Sequence, residues 1–131
     1  IDQGLIEVEQ RDGKVFVTVG SGGAFPSGTA DLTGEAQRIM DRIALTAMSP
    51  DSSITVTGHT DDVPISNGQF RDNWDLGAGR AASVVQAIQN TGLISGDRLS
   101  AVSKGEMAPL ADNNTAAGRE QNRRIEIEIS Y

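Results

Sequence analysis

Two side chains in this sequence have the types and spacing to hold a small ligand that carries both charges. Asp61 follows Gly58-His59-Thr60 at the end of a strand pattern, and Arg80 sits in Leu76-Gly77-Ala78-Gly79-Arg80-Ala81 in the first turns of a helix pattern. A carboxylate accepts hydrogen bonds from an ammonium, and a planar guanidinium fork suits a carboxylate. Together they would grip the head of an amino acid. An equally direct reading is an ion pair between Asp61 and Arg80 that pins a loop to a helix, and spacing alone leaves both open.

Other chemistries fit less well. His59, Asp61 and Asp62 cluster in sequence, but there is one His and no Cys, and no His-Glu-x-x-His spacing, so no metal site is expected. No Gly-x-Ser-x-Gly elbow places a nucleophile on a sharp turn. His59 reads as a structural hydrogen-bonding residue, and a hydrolase using Asp61 as acid or base is the weakest alternative. Gly77-Ala78-Gly79 lacks both phosphate-loop fingerprints and falls inside a helix, where small residues serve close packing. No cofactor is expected.

The formal net charge of −7 and pI near 4.5 argue against binding nucleic acid through its phosphates. Basic residues are scattered apart from Arg123-Arg124. At 131 residues the chain suits a single domain able to bury roughly two thirds of its unfolded surface. It contains no apolar run of bilayer length. It opens at Ile1 in a polar segment without an initiator Met, so a longer parent protein is expected.

These residues must be positioned by a modest set of elements. Leu5 to Glu9 and Lys14 to Val19 alternate apolar and polar around Arg11-Asp12-Gly13, a tight hairpin signal. Gly20 to Gly28 reads as a loop anchored by Phe25. From Thr33, a capping residue, the positions Ala36, Ile39, Met40, Ile43, Ala44, Ala47 and Met48 predict a helix with one buried face. Ile54 to Thr57 is a short strand. A second helix is predicted over 73–90, with Ala81, Val84, Val85 and Ile88 inward and Thr91-Gly92 as its stop.

A strand over 99–103, a short helix over 116–121 and a last strand with Ile125, Ile127 and Ile129 facing inward complete the pattern. The expected architecture is an α/β two-layer sandwich, a mixed β-sheet with helices on one face and an N-terminal hairpin. Residues 1–30 form the hairpin and loop extension, and residues 31–131 the core of one domain. Gly20 to Gly28 and the loop from Val63 to Asp72 are expected to be its mobile parts.

The combination Thr57-Gly58-His59-Thr60-Asp61, Asn73-Trp74-Asp75-Leu76 with Arg80-Ala81, Gly105, Pro109, and Asn122-Arg123-Arg124-Ile125-Glu126-Ile127 resembles the OmpA-like peptidoglycan-binding domain over roughly 53–129. Asp61-Asp62-Val63-Pro64-Ile65 with the loop through Phe70, and Gly23-Ala24-Phe25-Pro26-Ser27-Gly28, are most similar to the periplasmic C-terminal domain of the MotB and PomB flagellar stator subunits. The resemblance implies a non-catalytic domain that holds the diaminopimelate residue of the peptidoglycan stem peptide. Asp61 would take the ligand's ammonium and Arg80 its carboxylate. Thr60, Asn73 and Leu76 would line the pocket, and Arg124 would stand near it or support it.

The chain departs from the family pattern Leu-Ser-x-x-Arg-Ala at Gly77, and Gly79 precedes the arginine, each glycine weakening a helix by roughly 0.5–1 kcal/mol relative to Ala. Phe25 also lacks the acidic neighbour many relatives carry. The resemblance further implies a homodimer, a stator partner subunit that conducts ions, and a periplasmic location tethered to the inner membrane by a segment outside this chain. The runner-up is an OmpA or Pal-type outer-membrane protein or lipoprotein that links the envelope to peptidoglycan.

Overall fold

The computed structural model of the chain describes residues 6–131, so Leu5, expected to open the first strand, lies outside the described residues. Strands β1 (Ile6–Arg11) and β2 (Lys14–Gly20) meet at Asp12 (φ 54°) and Gly13 (φ 75°). Two successive left-handed residues are what a two-residue turn needs to match the twist of a hairpin. There follow α1 (Ser21–Ala24), α2 (Gly34–Thr46), β3 (Ser53–His59), α3 (Asn73–Asn90), β4 (Leu99–Gly105), α4 (Ala116–Asn122) and β5 (Arg124–Ser130). The short helix α1 replaces part of the loop expected over 20–28. Its glycines disguise a turn that is held from outside, by the Ser21 amide donating to the Arg123 carbonyl at 2.9 Å.

The strands form one mixed sheet in the order β1-β2-β5-β3-β4, antiparallel except for β3 against β4. The hairpin is part of this sheet, since β2 pairs with β5 from Lys14↔Ser130 to Gly20↔Arg124. The parallel pair is possible because α3 carries the chain back to the start of β4. On one face Val17, Val19, Ile54, Val56, Ile125, Ile127 and Ile129 pack against Met40, Ile43 and Ala44 of α2 and Ala81, Val84 and Ile88 of α3. Thr33 caps α2 as its spacing predicts, accepting from the Ala36 amide at 3.2 Å.

Gly77 has a packing reason for being there. A methyl group on Gly58 of β3 would overlap the Gly77 carbonyl oxygen, and one on Gly77 would lie 2.5 Å from Ser103 Oγ of β4. Gly79 in turn sits under Phe70, whose ring would come within 2.9 Å of an added methyl. The helix therefore rests directly on the sheet backbone. This close approach seats the first turns of α3, and Arg80 with them, beside the end of β3.

Candidate functional site

At the end of β3 the sheet, the α3 N-terminus, the segment before α2 and α4 surround a cleft of about 520 Å³. Its walls include Thr60, Asp61, Asn73, Leu76 and Arg80, five of the six residues singled out from sequence, together with Phe25, Arg119 and Arg123. Thr60 is held by its amide on the Gly105 carbonyl at 2.8 Å. Its hydroxyl donates to the Asp61 carbonyl at 2.8 Å. Asn73, the first residue of α3, donates from Nδ2 to the carbonyls of Asp61 and Val63 and to Glu106 Oε1 at 3.1–3.2 Å. One buried amide thus fixes both ends of the turn that presents Asp61.

Asp61 and Arg80 face the same cleft without bridging each other. Asp61 is 7% exposed; its Oδ1 accepts from the Val63 amide at 3.1 Å, and its Oδ2 accepts from Arg123 Nη1 at 2.6 Å. Arg80 is 4% exposed and lies over the Phe25 ring, 4.8 Å from its centroid. Its Nε donates to the Thr29 carbonyl at 2.7 Å. Among the described residues no carboxylate lies within ion-pair distance of Arg80. Burial, and then the nearby Arg123 charge, lower its pKa to about 10, against a smaller opposing pull from Asp61. A buried guanidinium without a counter-ion is electrostatically suited to accept an anion.

The sixth expected residue, Arg124, stands apart from this cleft. Its Nε donates to Glu126 Oε2 at 2.8 Å, its Nη1 to the Asn122 carbonyl at 3.0 Å and its Nη2 to the Ala108 carbonyl at 2.9 Å. Every nitrogen of the fork is engaged, so Arg124 staples the loop before α4 to the sheet. Of the two adjacent arginines it is Arg123, the residue that caps the C-terminus of α4, that lines the cleft. Two sequence signals distinguish them. Arg124 shares the strand parity of Glu126 and Glu128, whereas Arg123 lies four residues after Arg119, on one face of the short helix.

His59 is buried with Nε2 3.2 Å from Glu126 Oε1. The close contact with His59, and then the hydrogen bond from Arg124, lower the Glu126 pKa to about 2 against the cost of partial burial. A carboxylate depressed on folding contributes stability that is present above its unfolded pKa and lost as pH falls through the folded value. Glu126→Gln should therefore flatten the acid limb of a stability profile between about pH 4.5 and 2. Because the Glu126 side chain is 41% exposed, the solvent-screened difference should stay below about 1 kcal/mol. Urea melts at stepped pH values measure it, and parallel acid limbs would refute it.

Among the described residues, no cluster of three or more His, Cys, Asp or Glu is placed to hold a metal. No helix among them is long and apolar enough to cross a membrane. The site's chemistry is that of charge and hydrogen bonding: one carboxylate and several guanidiniums on fixed backbone, around a cleft of amino-acid size.

Comparison with known proteins agrees with this architecture. The family model of the OmpA family matches residues 24–123. The chain is 32% identical over 125 residues to Motility protein B of Bacillus subtilis (strain 168), covering 95% of this chain and 48% of that protein, so it spans about half the length of this relative. Among solved structures, the cell wall anchor of the T6SS from Pseudomonas aeruginosa superposes with a TM-score of 0.90 at 31% identity, over 98% of this chain and 89% of that one. The periplasmic domain of Helicobacter pylori MotB gives a TM-score of 0.85 at 27% identity, over 95% and 81%. The mixed five-stranded sheet, the helices and the sequence match together show that this chain belongs to the OmpA family.

Proposed function

We propose that this domain is a non-catalytic peptidoglycan anchor that grips the free amino-acid head of diaminopimelate in the stem peptide. Asp61 takes the ammonium and Arg80 the carboxylate, while Thr60, Asn73 and Leu76 line the cleft. The observation that carries this reading is the unbridged pair: two buried, opposite charges face one cleft with no ion pair between them. Arg124 has a supporting part, through its bonds to Glu126 and the loop before α4.

Each hydrogen bond to a charged group contributes roughly 1.5–3 kcal/mol and association costs several, so one cleft should bind one stem peptide at roughly micromolar to millimolar strength. A dimer presenting two clefts to a mesh of repeated peptides would gain by effective concentration. Similarity to Motility protein B and to the MotB periplasmic domain supports a stator subunit in the periplasm, joined to the inner membrane and to an ion-conducting partner. The likeness to a T6SS wall anchor keeps a second reading in view, a wall-binding module of another envelope assembly.

The test is retention on insoluble peptidoglycan. Wild-type protein should sediment with the wall, and Asp61→Asn and Arg80→Ala should each remain in the supernatant with native circular dichroism. Undiminished sedimentation of both variants would remove the pair from the function. Release of soluble muropeptides from purified walls would instead make the domain a hydrolase.

A further inference from the structure

The cleft holds more positive charge than an amino-acid head requires. Three guanidiniums, Arg80, Arg119 and Arg123, line it against the single carboxylate of Asp61. Within the cleft Asp61 and Arg123 neutralise each other at 2.6 Å. Arg80 donates from Nε to the Thr29 carbonyl at 2.7 Å, and Arg119 donates from Nη1 to the Asn113 carbonyl at 2.9 Å. Among the described residues neither Arg80 nor Arg119 has a carboxylate within ion-pair distance. Ser21, which lines the same cleft, is 2% exposed and its hydroxyl has no hydrogen-bond partner among the described residues.

A ligand bringing one ammonium and one carboxylate would occupy Asp61 and Arg80. It would leave Arg119 without a counter-ion and would compete with Arg123 for Asp61. Buried or half-buried guanidiniums are stabilised when an anion replaces the water they have lost. The surplus therefore favours a ligand with a second negative group.

We propose that the ligand of this cleft carries a second carboxylate beside its zwitterionic head, held by Arg119 together with Arg123 once the ammonium has engaged Asp61. This rests on the zwitterion reading and sharpens it. A diaminopimelate residue whose amine is acylated at one centre offers such a group when the carboxylate of that centre is free, and lacks it when that carboxylate is bonded in an amide. The domain would thus prefer stem peptides that end at diaminopimelate over those that continue beyond it.

Two probes separate the cases: mono-N-acetyl-diaminopimelate, and the same molecule with the carboxylate of its acetylated centre converted to the amide. Calorimetric titration of the wild-type chain should show the free acid binding roughly tenfold or more tightly, the gain expected from one charged hydrogen-bonded contact. Arg119→Gln, checked by thermal melting, should erase the difference and bind both probes as wild type binds the amide. Equal wild-type affinities for the two probes would overturn the second-carboxylate site and leave the head-group reading standing. Binding of neither probe would overturn both. The comparison within the wild type decides the matter even if the substitution weakens the fold.

Discussion

Gly58→Ala should be among the most destabilising single-methyl additions in this domain, with a loss of about 3 kcal/mol or more, toward the upper end of what overpacking costs. The neighbour it meets is the Gly77 carbonyl, backbone of a helix docked on β3, and backbone cannot swing aside as the end of a flexible side chain can. Relief requires α3 to lift from β3 and β4. That movement would open the packing of Ala81, Val84 and Ile88 against the sheet. Against a total stability of roughly 5–15 kcal/mol, such a loss is large.

Urea denaturation of Gly58→Ala beside Gly68→Ala provides the measurement. Gly68 has nothing within 4 Å of an added methyl and no left-handed φ, so its substitution should move the midpoint by less than about 0.5 kcal/mol in equivalent stability. Equal midpoints for the two variants would show that the helix adjusts freely and that its seat on the sheet is not tight. Binding should fall together with stability in Gly58→Ala, because Asn73, Leu76 and Arg80 all ride on the displaced helix.

The same contact shows where sequence reading succeeds and where it stops. Periodicity located α3 at Asn73–Asn90 and the β5 alternation at Ile125, Ile127 and Ile129, because burying one face imposes a repeat on the residues themselves. The glycines at 77 and 79 read as a local cost to the helix and as room for packing. Only the position of Gly58 and Phe70 across from them shows the packing to be the governing term. Helix α1 was hidden for the opposite reason: its stabilising contact, the Ser21 amide on the Arg123 carbonyl, spans the chain and leaves no local pattern.

The placement of the candidate residues around the cleft divides in the same way. Asp61, Thr60, Asn73, Leu76 and Arg80 lie on strand end and helix start, where a linear motif fixes geometry. Whether Asp61 and Arg80 bridge each other is open from spacing, since 18 intervening positions place no limit on side-chain direction. The structure gives Asp61 a different partner, Arg123. The choice between Arg123 and Arg124 turns on a single residue, the point at which α4 ends and β5 begins. Adjacent residues at such a boundary point to different surroundings, and boundaries are where periodicity is weakest.

Arg80→Met should raise the stability of the domain on its own while abolishing its retention on the wall. Keeping an unpaired guanidinium 4% exposed is unfavourable in the absence of ligand, as the lowering of its pKa to about 10 by burial shows. The folded value lies below the unfolded one, so the penalty is fully present below about pH 10 and is relieved only as pH rises beyond it. Methionine has similar length, fills the space over Phe25 and carries no charge to desolvate. What it forfeits is the hydrogen bond to Thr29 and the contact of a cation with a ring, together on the order of 1–2 kcal/mol. Replacing even a buried ion pair by apolar side chains of like volume is often neutral or stabilising by about 1–4 kcal/mol, and a buried charge without a partner has no Coulombic attraction to lose.

The expected result is therefore a net gain of about 1 kcal/mol in urea denaturation at pH 7, with wall retention reduced to background. Arg80→Lys separates charge from shape: it keeps a positive group but loses the planar fork, and should recover only part of the retention. A clear loss of stability in Arg80→Met would mean that Arg80 holds the fold together, with its bond to Thr29 outweighing its burial. Stability gained with retention lost would show that the buried charge is kept for its ligand. The domain would then hold in reserve, as the strain of an unpaired cation, part of the free energy with which it grips the anion.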